Sequence, residues 1–158
     1  MLFGVLGGRR GPRLPTERMV LRLPAQSDFR AWATLRQASA DFLKPWEPTW
    51  SDDHLTRRNF TGRVSWAAKV AAQGSALPLF LIRRADEALL GAITLDHLRR
   101  GPSQSATIGY WIGQPFARQG YMGEAIAALV HYAFTDLDLS RIEAACLPEN
   151  AASRGVLE

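Results

Sequence analysis

The sequence predicts an α/β domain, a mixed sheet with helices on its faces. Three observations point there. Apolar residues recur with period 2 in some stretches and at helical spacing in others. Two apolar runs, Leu79 to Arg83 and Leu89 to Leu98, flank the turn Ala85-Asp86-Glu87 and read as a hairpin. A strand, a glycine-rich loop and a helix then follow directly between Ala106 and Phe134. The 158 residues suit one domain. It is expected over residues 16–158, after a flexible basic tail over residues 1–15.

Glu17 to Leu23 alternates apolar and polar residues as a half-buried strand does, and Pro24 ends it. Ser27 is positioned to cap a helix with Asp28 in its first turn and Phe29, Trp32 and Leu35 on one face. Phe42 to Trp50 holds two prolines and two tryptophans, which excludes a regular interior and predicts an aromatic loop. A helix follows from about Asp52 to Gln73, with Leu55, Phe60, Val64 and Ala67 or Ala68 inward and Gly74 as its stop. After the hairpin, Arg99 to Ser105 is a polar loop and Ala106 to Ile112 a strand, in which Gly109 suggests a bulge or a close backbone approach. A helix from about Met122 to Phe134 carries Ile126, Leu129, Val130 and Ala133 as its apolar stripe. Arg141 to Cys146 is a strand, and Asn150 is placed to cap a last helix from Ala151. The order is β, α, α, β, β, β, α, β, α. A chain that stops two turns into a fresh helix reads as truncated at its C-terminus.

Composition narrows the function. Hydrophobic residues make up 47% and charged residues 22%, the profile of a globular protein. No apolar run approaches the roughly 20 residues of a membrane span. Cys146 is the single cysteine, which excludes an internal disulfide and points to a reducing, cytoplasmic setting. Three scattered histidines and one cysteine form no metal-ligand set. In the opening MLFGVLGGRRGPRLP the basic residues follow the apolar stretch, the reverse of a secretory signal. The net charge is +4 and uneven: residues 1–79 carry 12 Lys+Arg against 6 Asp+Glu, and residues 80–158 carry 7 against 9. That basic half suits a polyanion, either a phosphorylated cofactor or RNA, and is equally compatible with a solvated surface.

The chemistry concentrates in Phe116 to Ala125, FARQGYMGEA. Glycines between a strand and a helix let backbone N–H groups converge, and the helix N-terminus adds partial positive charge. The combination suits a pyrophosphate, with Arg118 as a direct charge contact. The segment has neither the Gly-Lys-Ser/Thr of a P-loop nor the glycine spacing of a dinucleotide-binding fingerprint. On composition alone, a plain strand–helix turn remains open.

IGYWIG, then RQGYMGEA, then a helix, then RIEAACLPENAAS resembles the core of the GNAT acetyltransferases, most closely the RimJ/RimL branch that acetylates ribosomal proteins. The family's loop pattern, Gln/Arg-x-x-Gly-x-Gly/Ala, falls on Ala117 to Met122 with Gly120 at its centre. Ala117 replaces Gln/Arg, and Met122 replaces the small residue. The loop Phe42 to Pro48 is similar to one near the substrate entrance in the RimJ branch. The resemblance implies a GNAT acyl-CoA N-acyltransferase fold whose last two strands are missing here. It implies acetyl-CoA as co-substrate and no metal. The loop residues Ala117, Arg118, Gln119, Gly120, Tyr121, Met122 and Gly123 would bind the pyrophosphate. The strand Tyr110-Trp111-Ile112 would bind the pantetheine arm, with a backbone N–H at a bulge as oxyanion donor. Asn150 would lie near the pantetheine, and Ser153 would protonate the leaving thiolate.

Trp46, Glu47 and Trp50 are candidates to line the acceptor channel. Glu47 and Glu143 are the candidate general bases. The function implied is acetyl transfer from acetyl-CoA to the N-terminal amine of a protein, a ribosomal protein with N-terminal Ala or Ser. Its partners would be that terminus, with a ribosome or RNA nearby and no membrane, and the chain would be a monomer or weak dimer. Two alternatives stay open. One is acetylation of a small cationic amine such as a polyamine or aminoglycoside, for which Asp41, Glu47, Asp52 and Asp53 would supply acidity. The other is a non-catalytic acyl-CoA- or RNA-binding module.

Overall fold

The structure, a computed structural model, describes residues 11–144. Its strands are β1 (Arg13–Pro15), β2 (Met19–Arg22), β3 (Leu77–Arg83), β4 (Leu89–Arg99), β5 (Ser105–Ile112) and β6 (Arg141–Ala144). Its helices are α1 (Phe29–Ala38), the single turn α2 (Ala40–Leu43), α3 (Arg57–Gln73) and α4 (Tyr121–Thr135). The strands form one sheet in sequence order. Neighbours are antiparallel from β1 to β5. The last pair, β5 and β6, is parallel, because α4 carries the chain back across the sheet before β6 begins.

β3 is buried on both faces, and its side chains alternate between two cores. Leu77, Leu79 and Leu81 join Leu21, Ile93, Leu95 and Ile108 under α4, where Ala125, Leu129 and Ala133 close the layer. Phe80 and Ile82 point the other way, to Trp32 and Leu35 of α1, Phe60 of α3 and Leu89. Each such Leu, Ile or Phe contributes about 1.5–3 kcal/mol when fully buried.

Several expectations are corrected. Arg13 to Pro15, expected in the flexible tail, pair with Arg22 to Val20 as a sheet edge. Ser27 does not cap α1. It sits in a 3-10 turn, Gln26–Asp28, where Asp28 accepts from both Nη atoms of Arg22 (2.8 Å each) and from the Ala25 amide (2.8 Å). α3 starts at Arg57 and not near Asp52, because the Thr56 hydroxyl caps it by accepting from the Asn59 amide (3.2 Å). Gly74 ends that helix in the left-handed region (φ +72°), as expected. The expected end of β6 at Cys146, together with Asn150, Ser153 and the last helix, lies outside the described residues.

Gly109 carries neither a bulge nor a close approach. It pairs in register with Thr94, and nothing lies within 4 Å of a Cβ placed on it. The register shift between these strands falls at Asp96/Arg99 instead. The close approach is at Gly91, where a Cβ would meet the Trp111 carbonyl oxygen at 2.3 Å. Gly91→Ala is therefore expected to cost about 1–3 kcal/mol by forcing β4 from β5, whereas Gly109→Ala stays within about 0.5 kcal/mol. Urea unfolding of the two variants measures the contrast.

Candidate active site

At the end of β5 the chain enters the glycine loop. The Gly113 amide donates to the Leu90 carbonyl (2.8 Å), and the Gln114 amide donates to the buried Ser39 hydroxyl at the end of α1 (2.9 Å). A 3-10 turn, Gln114–Phe116, and extended Ala117 follow. The backbone then passes twice through the left-handed region, at Arg118 (φ +61°) and Gly120 (φ +82°), before α4 begins at Tyr121. The Glu124 amide donates to the Gly120 carbonyl (3.1 Å). The amides of Tyr121, Met122 and Gly123 precede that first helical bond and have no carbonyl within the helix to reach. Gly123 leaves open space where a side chain would stand. The Arg118 side chain is exposed and makes no hydrogen bond or ion pair with any described residue. First-turn amides, a helix dipole and an uncommitted guanidinium in one place make an anion cradle. Tyr121 and Met122 contribute through their amides, since their side chains are buried in the α4 core.

The β1–β2 turn braces this loop. Glu124 accepts from the Thr16 hydroxyl (2.5 Å), the Arg18 amide (2.9 Å) and Arg18 Nε (2.8 Å). Arg18 Nη1 donates to the Gln119 carbonyl (3.1 Å), and its guanidinium lies 4.1 Å from the centre of the Tyr121 ring. Arg83 Nη1 donates to the Tyr121 hydroxyl (3.2 Å). Burial pushes the Glu124 carboxyl up, but the hydrogen bonds from Thr16 and Arg18 outweigh it and hold the group below the usual range. Glu124 is thus a neutralised anchor under the cradle.

Strand alternation divides Tyr110-Trp111-Ile112. Tyr110 and Ile112 pack with the α4 core, and Trp111 faces α1 and the aromatic loop. β5 pairs regularly with β4 from Thr107 to Ile112, so the oxyanion-donating bulge expected there is absent on the β4 side. The described part of β6 stops level with Ile108.

On the Trp111 side lies a cluster built around Arg36, which joins Glu47, Trp50 and His54. Arg36 of α1 is buried, with its guanidinium 4.6 Å from the Trp50 ring centre and 4.8 Å from that of Trp111. It donates to both Glu47 oxygens, from Nη1 to Oε2 (3.0 Å) and from Nη2 to Oε1 (2.7 Å). Trp50 Nε1 adds a donation to Glu47 Oε1 (2.9 Å). His54 stacks on Trp50 (centroids 4.5 Å apart), with Nε2 2.9 Å from Arg36 Nη2 and Nδ1 3.3 Å from Arg63 Nη2. Burial first, then the charges of Arg36 and Arg63, lowers the His54 pKa to about 4. Arg36 Nε is buried without a hydrogen-bond partner among the described residues.

The predicted acceptor residues Glu47 and Trp50 therefore come together, while Trp46 is one of the exposed large side chains beside them. Both candidate bases are held in ion pairs. Glu47 is occupied by three N–H donors. Glu143 lies level with Thr107 on β6, exposed and paired with Arg141 Nη2 (2.7 Å). Three strand positions separate Thr107 from Tyr110, about 10 Å at strand rise. Arg36, His54, Arg18 and Glu124 are the residues that sequence reasoning missed. Arg36 left one signal, a charge on the helix face otherwise marked by Trp32 and Leu35.

A family model described as "Acetyltransferase (GNAT) domain" matches residues 18–158. The [ribosomal protein uS5]-alanine N-acetyltransferase of Escherichia coli K12 is 30% identical over 156 residues, covering 99% of this chain and 80% of that protein. The structure of Mycobacterium smegmatis RimJ in complex with CoA-disulfide superposes with a TM-score of 0.85 at 30% identity, covering 92% of this chain and 73% of that one. A RimL structure in complex with coenzyme A, 20% identical with a TM-score of 0.80, shares the fold.

Two outcomes follow from the Arg36 cluster. Arg36→Met leaves Glu47 without its cation and is expected to cost about 3 kcal/mol in urea unfolding. His54 has its pKa lowered from 6.5 to about 4, so the unfolded chain gains a proton over that window that the native chain does not. Stability should fall as pH drops from about 6.5 to about 4, and His54→Gln should flatten the decline in thermal midpoints.

Proposed function

The chain belongs to the GNAT acetyltransferase family, whose members use acetyl-CoA, and we propose that its acceptor is the N-terminal amine of a ribosomal protein beginning with Ala or Ser. The observation that carries this reading is the meeting of two features at the C-terminal end of β5. The amide cradle of α4 stands on one side, and an aromatic wall without net negative charge stands on the other. The 30% identity to the E. coli uS5-alanine enzyme supports the acceptor class.

Acetyl-CoA fits the donor set, because its pyrophosphate is the dianionic group that three amides, a helix dipole and Arg118 suit. When bound it supplies the acyl group as a thioester. The chain's own residues then do three things. The amides of Tyr121, Met122 and Gly123 fix the anionic part of the co-substrate, while Thr16 and Arg18 keep the loop rigid through Glu124. Trp111 and Trp50, clamped on Arg36, exclude water from the acceptor side. Glu47 positions Arg36 and keeps the wall neutral.

This chemistry favours an α-amine. Protein N-termini titrate near 7.7–8.0 and lysine side chains near 10.4. Near neutral pH an N-terminus therefore has a sizeable deprotonated fraction without an enzymatic base. A site whose candidate carboxylates are tied up in ion pairs acts on that fraction and discriminates against lysine and polyamines. Arg36 and Arg63 also remove the negative potential that a cationic small amine would need. The arginine-rich composition, 17 of 19 basic residues, supports encounter with an acceptor near RNA. The reducing setting inferred from the lone Cys146 supports a cytoplasmic location.

The test is initial-rate kinetics with acetyl-CoA and two peptides. One has a free N-terminal Ala and no lysine, and the other has a blocked N-terminus and one lysine. The first should be preferred by at least about 100-fold in kcat/KM, its rate rising with pH to a plateau above about 8. Equal rates, or faster turnover of spermidine, would overturn the proposed acceptor.

A further inference from the structure

We propose that a polar cleft at the opposite end of β5 binds a phosphate group carried on a sugar. The cleft has a volume of about 290 Å³ and is lined by Arg99, Arg141, His97, Ser103, Ser105, Thr107 and Glu143, with Ala106 its only apolar wall among the described residues. β5 runs from this cleft at Ser105 to the glycine loop after Ile112, about 23 Å at strand rise. The two sites are therefore separate.

Local backbone geometry builds the cleft. The register shift at Asp96/Arg99 sets one extra residue of β4 against β5, a bulge after which pairing resumes at Arg99 and Ser105. His97 takes φ +51°, and the Asp96 carboxylate accepts from the His97 amide (2.8 Å) to hold that turn. The loop from 100 to 104 is fixed to the start of β6. Gln104 Nε2 donates to the Asp138 carbonyl (3.1 Å), and the Gln104 carbonyl accepts from the amides of Ser140 (2.7 Å) and Arg141 (3.3 Å).

The donor set selects the ligand. Arg99 has no side-chain partner among the described residues, so one guanidinium fork is free. Among the described residues the Arg141 side chain is held only by Glu143 (2.7 Å). The Ser103 and Ser105 hydroxyls lie 2.7 Å apart, and the Thr107 hydroxyl lies 3.1 Å from His97 Nδ1. Of the charged side chains that line the cleft two are guanidiniums and one is a carboxylate, with the Asp96 carboxylate outside the lining 4.0 Å from His97 Nδ1, and an arginine fork matches phosphate oxygens. Hydroxyls on the same wall suit the hydroxyls of a sugar. Among the described residues no Phe, Tyr or Trp lines the cleft, and its forks and hydroxyls match phosphate and sugar rather than a base edge. The shared chemistry is sugar and phosphate, whether in a free sugar phosphate or in an RNA backbone.

The test is titration of the full chain in saturating acetyl-CoA, which keeps the cradle of α4 occupied. The ligands are ribose 5-phosphate, followed by calorimetry, and a fluorescein-labelled single-stranded RNA, followed by anisotropy. Arg99→Ala should weaken binding by about tenfold or more. Glu143→Gln, which releases Arg141, should tighten it about threefold. Neither should change KM for acetyl-CoA. Binding of ribose 5-phosphate with these two responses identifies a free sugar phosphate as the source, and binding of RNA alone with the same responses identifies the RNA backbone. Absence of binding by both ligands, or binding that ignores both substitutions, overturns the proposal.

Discussion

The active-site end of this molecule depends on one buried cation. Arg36 joins three elements that share no backbone hydrogen bonds: α1, the aromatic loop and β5. It does so by lying between the Trp50 and Trp111 rings and donating to both oxygens of Glu47. A guanidinium in that position is stable only while its carboxylate partner stays with it. Even so, its Nε has no hydrogen-bond partner among the described residues, a cost of about 1–3 kcal/mol for a buried donor. The cation fixes the aromatic loop beside the strand that leads into the anion cradle. It also fixes the electrostatics. Glu47 is neutralised, His54 is kept uncharged down to a pKa of about 4, and the aromatic wall carries no net negative charge.

β5 is the common axis of the sites. At its C-terminal end the chain reverses through Arg118 and Gly120 and delivers three first-turn amides to one point. The geometry is held from outside the loop, by Thr16 and Arg18 on the β1–β2 turn. Residues more than 100 positions apart in sequence thus determine whether the cradle keeps its shape. At its N-terminal end the bulged ladder with β4 borders a hydrophilic cleft. Both ends favour anions, one through backbone amides and the other through side chains.

The fold was legible because its signals are local. Alternation in β2, the apolar runs of β3 and β4, and the stripe of α4 each lie within one element. The cradle was legible for the same reason, since a glycine loop between a strand and a helix is contiguous. The errors came where a distant partner decided the outcome. Ser27 lost the capping role because Arg22 and the Ala25 amide claim Asp28 and draw the chain into a 3-10 turn. Gly109 looked special, but the constraint belongs to Gly91, where the Trp111 carbonyl leaves no room for a Cβ. The pairing of Glu47 with Arg36, eleven residues earlier on a helix, left no local sign in the sequence. Arg18 and Glu124 are 106 positions apart, beyond the reach of any spacing rule.

The role proposed for the first-turn amides of α4 is to hold the anionic part of acetyl-CoA. The most direct measurement is a two-dimensional amide NMR titration of the nitrogen-15-labelled chain with CoA. The Gly120, Tyr121, Met122 and Gly123 amides should shift most and saturate together, while those of Ser103 to Thr107 remain in place. If CoA bound with the Gly120 to Gly123 amides unmoved and the largest shifts elsewhere, the cradle would not be the cofactor site.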